Sequence, residues 1–225
     1  MKIPISKRLL QCCRFVRPGD VVADIGCDHG YLGIYLLHNK IASRVIASDI
    51  NPQPLQSAMR NAEKYGVQDH IQFFLSEGVQ KIPQDFDTMV CAGMGADTII
   101  SILEGAPWLK RKQYRLILQC QSKTPMLREY LSCHDWHICQ ETVLRDGRFL
   151  YTVMVVCQDA AQPKLSVGQT YFSPALLKSA APELKEYYES IIFRLKRAVD
   201  SQKEAADPKM DAALKELRTL EGEFK

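Results

Sequence analysis

The residue types best suited to chemistry are concentrated in Asp24-Ile25-Gly26-Cys27-Asp28-His29-Gly30. This segment follows a short apolar β-branched run and opens a helical pattern, the context a nucleotide-binding loop requires. Gly26 permits a sharp turn, and Gly30 is expected to let the backbone approach a ligand closely. A dinucleotide loop would read G-x-G-x-x-G and aim a helix N-terminus at pyrophosphate. Here the middle glycine is missing, and Asp24 and Asp28 would repel phosphates. The same carboxylates suit a ligand carrying a positive sulfonium and an α-amino group. A plain strand-to-helix turn is the simpler alternative.

Two further loops complete the constellation. Asp49 ends the next strand-like run, 19 residues after Gly30, where a carboxylate can accept hydrogen bonds from both ribose hydroxyls of a nucleoside. Asp49 or Asn51 could equally cap the helix that follows; Ile50 and Asn51 beside it join the candidate cofactor residues. Ser76-Glu77-Gly78 follows the third run and is placed to read the adenine amino group and N1. Loops at the carboxyl ends of consecutive parallel strands converge on one crevice. After the fourth run stands Ala92-Gly93-Met94-Gly95. It lacks the D/N-P-P-Y/F box with which many DNA amino-methyltransferases hold a flipped base. Its glycines either leave room for a base beside the cofactor or form a turn into the next helix.

The elements that must position these loops alternate strictly. A helix over Ser6–Phe15 precedes strands at Val21–Ile25, Arg44–Asp49, Ile71–Leu75, Thr88–Ala92 and Arg115–Cys120. Helices are expected at Tyr31–Asn39, Pro52–Tyr65, Thr98–Leu103 and Pro125–Cys133, which implies a parallel sheet covered on both faces. Trp136–Leu144 and Phe149–Val156 break the rhythm as two strands around Arg145-Asp146-Gly147-Arg148, a hairpin signal. The fold class expected is therefore α/β, a Rossmann-like class I methyltransferase sheet of parallel strands with a terminal antiparallel hairpin. Residues 1–157 form that domain with its short basic helix, and 158–170 read as a polar linker. Within 171–225, Leu184, Tyr188, Ile191, Leu195 and Ala198 recur at coiled-coil spacing, and Met210, Leu214 and Leu217 resume it after Asp207-Pro208. The reading is an antiparallel helical coiled-coil hairpin.

Composition narrows the partners. The net charge of +3 is small, but residues 1–19 carry Lys2, Lys7, Arg8, Arg14 and Arg17 with no acid among them until Asp20. A second basic knot is Lys110-Arg111-Lys112 with Arg115. Two acid-free patches beside a catalytic core point to a polyanionic substrate, against the plainer reading of a solvated surface. From Lys178 onward the charges nearly balance, so the hairpin reads as a structural or docking element. The cysteines are scattered without a C-x-x-C pair, and Cys27, Cys91, Cys120 and Cys157 read as small buried hydrophobes. Cys133, His134, His137 and Cys139 would need to converge to hold zinc; helix and strand separate them, so no metal is expected. No apolar run approaches the roughly 18 residues of a membrane span, and residues 1–8 lack the long apolar region of a signal peptide. A cytoplasmic monomer without membrane contact is the expectation.

The order D-I-G-x-D-H-x-Y-L, then A-G-M-G, then L-I-L-Q and D-G-[KR]-F resembles one bacterial family, the tRNA (adenine-22-N1)-methyltransferases, or TrmK. The resemblance runs from Ser6-Lys7-Arg8-Leu9 to the C-terminal helices. It implies methyl transfer from S-adenosyl-L-methionine to N1 of an adenine in tRNA. Cofactor contacts are then expected at Asp24, Gly26, Cys27, Asp28, Gly30, Asp49, Ile50, Asn51, Ser76, Glu77, Gly78, Ala92, Gly93 and Met94. The tRNA is expected at Lys7, Arg8, Arg14, His29 and Gln119. Asp28 is the candidate catalytic carboxylate, and its alternatives are capping a helix or holding the methionine amino group; His29 is a substrate contact or a packed structural histidine. The chain departs from the family pattern at Cys27, Gly30, Ser76-Glu77-Gly78, Ala96 and Gln119-Cys120-Gln121. Glu77 keeps a carboxylate with longer reach, whereas the Gln119–Gln121 change leaves base contacts open. Other readings are methylation of another RNA or a protein, or a non-catalytic nucleotide- or RNA-binding module.

Overall fold

Apolar β-branched runs bounded by turn residues become strands, and the amphipathic stretches between them become helices that cover the sheet. The computed structural model describes residues 2–159, 163–201 and 208–224. In chain order the sheet region holds α1 (Lys7–Phe15), β1 (Val21–Ile25), α2 (Tyr31–His38), β2 (Arg44–Asp49), α3 (Pro52–Lys64), β3 (Ile71–Leu75), β4 (Thr88–Met94), α4 (Ala96–Glu104), β5 (Arg115–Cys120), α5 (Thr124–Cys133), β6 (Trp136–Asp146) and β7 (Phe149–Gln158). The seven strands form one sheet in the order β3-β2-β1-β4-β5-β7-β6. Strands β1 to β5 are parallel, and β7 returns antiparallel between β5 and β6. This is the Rossmann-like methyltransferase sheet with its terminal hairpin.

Strand alternation sends side chains to two cores. Ile25, Ile46, Met89 and Leu116 pack with Ile99, Leu103, Leu127 and Leu131 on one face. Val22, Val45, Val90 and Ile117 pack with Cys12, Ile34, Leu36 and Ala58 on the other. Ser6 caps α1 by accepting from the Leu9 N–H. The hairpin turn is tighter than expected: Asp146 pairs with Phe149, so only Gly147 and Arg148 turn, with Gly147 at φ +60°.

The segment expected to be a linker is partly folded. Gln158 ends β7, and Ser166 caps a short α6 (Val167–Tyr171) through a reciprocal box with Gln169. Residues 160–162 of that segment, and Asp207 of the expected helix break, lie outside the described residues. Next come α7 (Pro174–Leu177), α8 (Leu184–Ser201) and α9 (Pro208–Arg218). The Tyr188 hydroxyl near the start of α8 donates to the Leu217 carbonyl near the end of α9, so the two helices run antiparallel. Their buried face is wider than a coiled-coil seam. Tyr187 and Ile192 are buried with Tyr188, Ile191 and Leu195, because α8 also packs on Phe172, Leu176 and Val143 of β6.

One buried ion pair fastens this appendage. Arg128 of α5 and Glu141 of β6 are both fully buried and paired at 2.7 Å. Arg128 also donates to the Thr170 and Tyr171 carbonyls at the end of α6, and the Ser173 hydroxyl donates to Glu141. The basic knot at Lys110–Lys112 precedes β5 and therefore lies at the amino ends of the parallel strands. Among the described residues no helix is long and apolar enough to cross a membrane.

Candidate functional site

Sheet order reverses between β1 and β4, which opens a crevice at the carboxyl ends of the parallel strands. A cavity of about 570 Å³ lies there, within the range that holds a nucleoside-sized ligand. Ile25 and Gly26 after β1, Asp49 and Ile50 after β2, Ser76, Glu77 and Gly78 after β3, and Met94 of β4 all line it. Three loops expected to converge do converge.

Asp49 organises the crevice. One carboxylate oxygen accepts from the Asp28 N–H at 3.1 Å and the other from the Asn51 N–H at 2.9 Å. The Asn51 side chain makes no capping bond, so the nearby carboxylate serves this turn instead. Each carboxylate oxygen keeps a second lone pair for a ligand hydroxyl. Ser76 is buried, its N–H bonded to the Asp49 carbonyl and its hydroxyl accepting from Lys81 N–H, which fixes the third loop.

The first loop is held by backbone geometry. Gly26, Asp28 and Gly30 all have φ between +50° and +73°. A Cβ on Gly26 would stand 2.3 Å from the Met94 methyl group, so Met94 lies across this turn. Gly30 corrects the sequence expectation: what approaches it is Ala58 of α3, 2.9 Å from where a Cβ on Gly30 would stand, rather than the cavity. Cys27 is buried with its N–H bonded to Ser48. Asp24 sits behind the loop with one carboxylate oxygen lacking any hydrogen-bond partner. Burial pushes its carboxyl up to about 7, against the Gly33 N–H, and the Asp49 charge adds to the rise. Asp28 and His29 stand on the same loop 3.7 Å apart, with side chains 70% and 53% exposed, and neither is among the residues that line the cavity. The His29 ring stands 6.0 Å from that of Tyr31.

Gln119 is a second correction. It is fully buried, accepts from the Gly93 N–H at 3.0 Å and donates to the Cys120 carbonyl. Buried on strand β5, it braces a bulge in β4 at Ala92–Met94 and does not reach a surface-bound substrate. Gly93, at φ +82°, is the extra residue, and a Cβ there would stand 3.7 Å from the Gln121 side-chain amide nitrogen.

Helix α4 supplies lining that the sequence did not announce. Asp97, Thr98, Ser101 and Ile102 fall on one helical face and border the cavity. Lys123 reaches Asp97 at 2.9 Å. Across loops and helix, the lining among the described residues includes the carboxylates of Asp49, Glu77 and Asp97 and no lysine, arginine or histidine. Such a wall favours a cationic ligand and disfavours a pyrophosphate.

The basic N-terminal helix is oriented across the sheet edge. The Arg8 N–H donates to Asp146 at the hairpin tip, and its guanidinium lies 5.7 Å from the Tyr151 ring centre. Tyr151 is near the start of antiparallel β7, so Arg8 sits on the crevice side. Lys7 and Arg14 line a separate shallow depression with Arg145 and Glu183. Arg17 and Arg115 lie toward the opposite edge, where Arg115 donates to the Phe15 carbonyl.

Residues 22–221 match the family model TrmK, tRNA (adenine(22)-N(1))-methyltransferase. A Bacillus subtilis tRNA (adenine(22)-N(1))-methyltransferase is 31% identical over 214 residues, covering 89% of this chain and 90% of its own. The crystal structure of the B. subtilis m1A22 tRNA methyltransferase TrmK superposes with a TM-score of 0.80 at 30% identity, covering 99% of this chain and 97% of its own. A Streptococcus pneumoniae candidate tRNA (m1A22) methyltransferase, solved with S-adenosyl-L-methionine, gives 0.83 at 29% identity, covering 96% and 99%.

Proposed function

The chain belongs to the TrmK family of tRNA (adenine(22)-N(1))-methyltransferases, and from that membership we propose how its residues divide the work. The enzyme transfers a methyl group from S-adenosyl-L-methionine to N1 of adenine 22 in tRNA. The observation that carries this reading is the crevice wall, where Asp49, Glu77 and Asp97 surround a nucleoside-sized cavity that no basic side chain lines among the described residues. When bound, the cofactor supplies an activated methyl group on a sulfonium, so the protein's task is chiefly alignment and charge.

Asp49 holds the ribose hydroxyls with its free lone pairs, and Ser76-Glu77-Gly78 reads the adenine edge. Gly26 and Met94 enclose the methionine portion, with Asp24 behind them as the buried counter-charge to its ammonium. Asp28, at the rim, faces the incoming base. N1-methylation leaves adenine cationic, and loss of an N6 proton neutralises it. Asp28 stabilises that charge or takes the proton, and His29 contacts the nucleotide alongside.

Asp49→Ala is expected to weaken S-adenosylmethionine binding by about 1.5–3 kcal/mol, roughly 10- to 150-fold. Calorimetry reads this directly. Unchanged affinity would remove Asp49 from the ribose site.

Lys7, Arg8 and Arg14 carry the phosphate contacts. Replacing all three with alanine is expected to weaken tRNA binding and flatten its salt dependence, by about 0.7–0.9 in log–log slope for each phosphate left without its cation. Cofactor affinity should stay intact. The comparison is Arg194→Ala with Arg197→Ala on α8. A larger loss of slope there would place the RNA on the C-terminal helices.

A further inference from the structure

Two thiols on the terminal hairpin stand apart from the crevice. Cys139 and Cys157 have sulfurs 2.7 Å apart, less than an ångström beyond the ~2.05 Å of a disulfide bond. Cys139 is exposed and is the unpaired residue of a bulge between Ile138 and Gln140. The bulge swings it out of the pairing ladder toward the half-buried Cys157. Cys157 is thus no buried hydrophobe, as its apolar strand had implied. Its surroundings favour a thiolate. The hydrogen bond from Cys139 lowers its pKa to about 7; burial opposes this, the Arg115 and Arg17 guanidiniums add to it, and Asp159 opposes. Of the remaining cysteines, Cys12, Cys13, Cys27, Cys91 and Cys120 are buried and only Cys133 is exposed.

We propose that Cys139 and Cys157 are a thiol–disulfide modification site, bridging reversibly across β6 and β7 by exchange with small disulfides of the glutathione class. The Cys157 thiolate attacks one sulfur of the small disulfide, forming a mixed disulfide and expelling one small thiolate. Cys139 then loses its proton and attacks the Cys157 sulfur, expelling the second. The protein gives up two protons and two electrons, and the small disulfide is reduced to two thiols. Both cysteines lie where β6 begins and β7 ends, at the sheet edge away from the crevice, so the bridge forms without displacing cofactor residues.

The test treats the full-length protein with oxidised glutathione, blocks free thiols with N-ethylmaleimide and maps peptides by mass. The expected product is one cross-linked pair, Cys139 with Cys157, lighter by two hydrogens and reversed by dithiothreitol. Cys139→Ser should instead trap a stable glutathione adduct on Cys157, because the resolving thiol is gone. Cys157→Ser should leave Cys139 free of glutathione under the same exposure. If wild-type Cys139 and Cys157 both remain open to N-ethylmaleimide while Cys133 takes up glutathione, the site assignment is wrong. A Cys133–Cys139 bridge would overturn it equally.

Discussion

Asp28→Asn is expected to lower methyl-transfer turnover by about 10²–10⁴-fold while leaving most cofactor affinity in place. The substitution is chosen to preserve the loop. Asparagine tolerates the left-handed backbone that Asp28 adopts at φ +50°. The main-chain N–H of residue 28, which bonds Asp49, is untouched. What disappears is the carboxylate proposed to stabilise or deprotonate the methylated adenine. Single-turnover rates with tRNA and calorimetry with S-adenosylmethionine separate the two roles. Near-normal turnover combined with collapsed cofactor affinity would assign Asp28 to binding alone.

Arg128→Ala is expected to destabilise the protein by about 3–5 kcal/mol, the cost of leaving a buried charge unpaired. Glu141 would keep only the Ser173 hydroxyl, and the Thr170 and Tyr171 carbonyls would lose their guanidinium donor. For a chain of this size that is a fall in Tm of roughly 6–20 °C. Burial alone would lower the Arg128 pKa, and the adjacent Glu141 reverses that, so the guanidinium stays charged in the native fold. Replacing both partners, Arg128→Met with Glu141→Leu, should recover part of the loss, since no buried charge is left unpaired, while the Thr170 and Tyr171 carbonyls and the Ser173 hydroxyl still lose these partners. A Tm within two or three degrees of wild type for Arg128→Ala would show that the pair does not fasten the C-terminal helices.

Local pattern was sufficient for the strands that turn residues bound on both sides. β2, β3 and β5 have the bounds expected from Arg44–Asp49, Ile71–Leu75 and Arg115–Cys120 alone. The same holds for the cofactor loops, because their position at strand ends follows from strand–helix alternation. What local pattern missed depends on partners distant in sequence. β4 runs on to Met94 because buried Gln119, on the neighbouring strand, bonds the Gly93 N–H. The family resemblance alone implies Gln119 as a substrate contact, and its neighbours in the chain carry no sign that it is buried against β4. Gly30 read as space for a ligand, but the nearby mass is Ala58, 28 residues away in the chain.

Charged residues misled in the same way. Arg128 lies on a helix and Glu141 on a strand, and each alone reads as a solvated side chain; only their burial together reveals the joint. Asp97, Thr98 and Ser101 of α4 border the crevice although none of them stands in a strand-end loop. The basic residues of the first nineteen separate in space, because α1 runs from the crevice side to the opposite edge of the sheet. Of the three proposed phosphate contacts, Arg8 lies on the crevice side beside Asp146, whereas Arg14, next to Phe15, lies toward the far end of α1.

The reaction is a methyl transfer to one atom of one nucleotide. The direct measurement incubates the protein with methyl-labelled S-adenosylmethionine and an unmodified tRNA transcript carrying adenine 22, then locates the label by digestion and primer extension. The predicted result is a single N1-methyladenine at position 22, abolished when that adenine is replaced by guanine. Label at another nucleotide, or undiminished transfer to the guanine-22 transcript, would contradict the account.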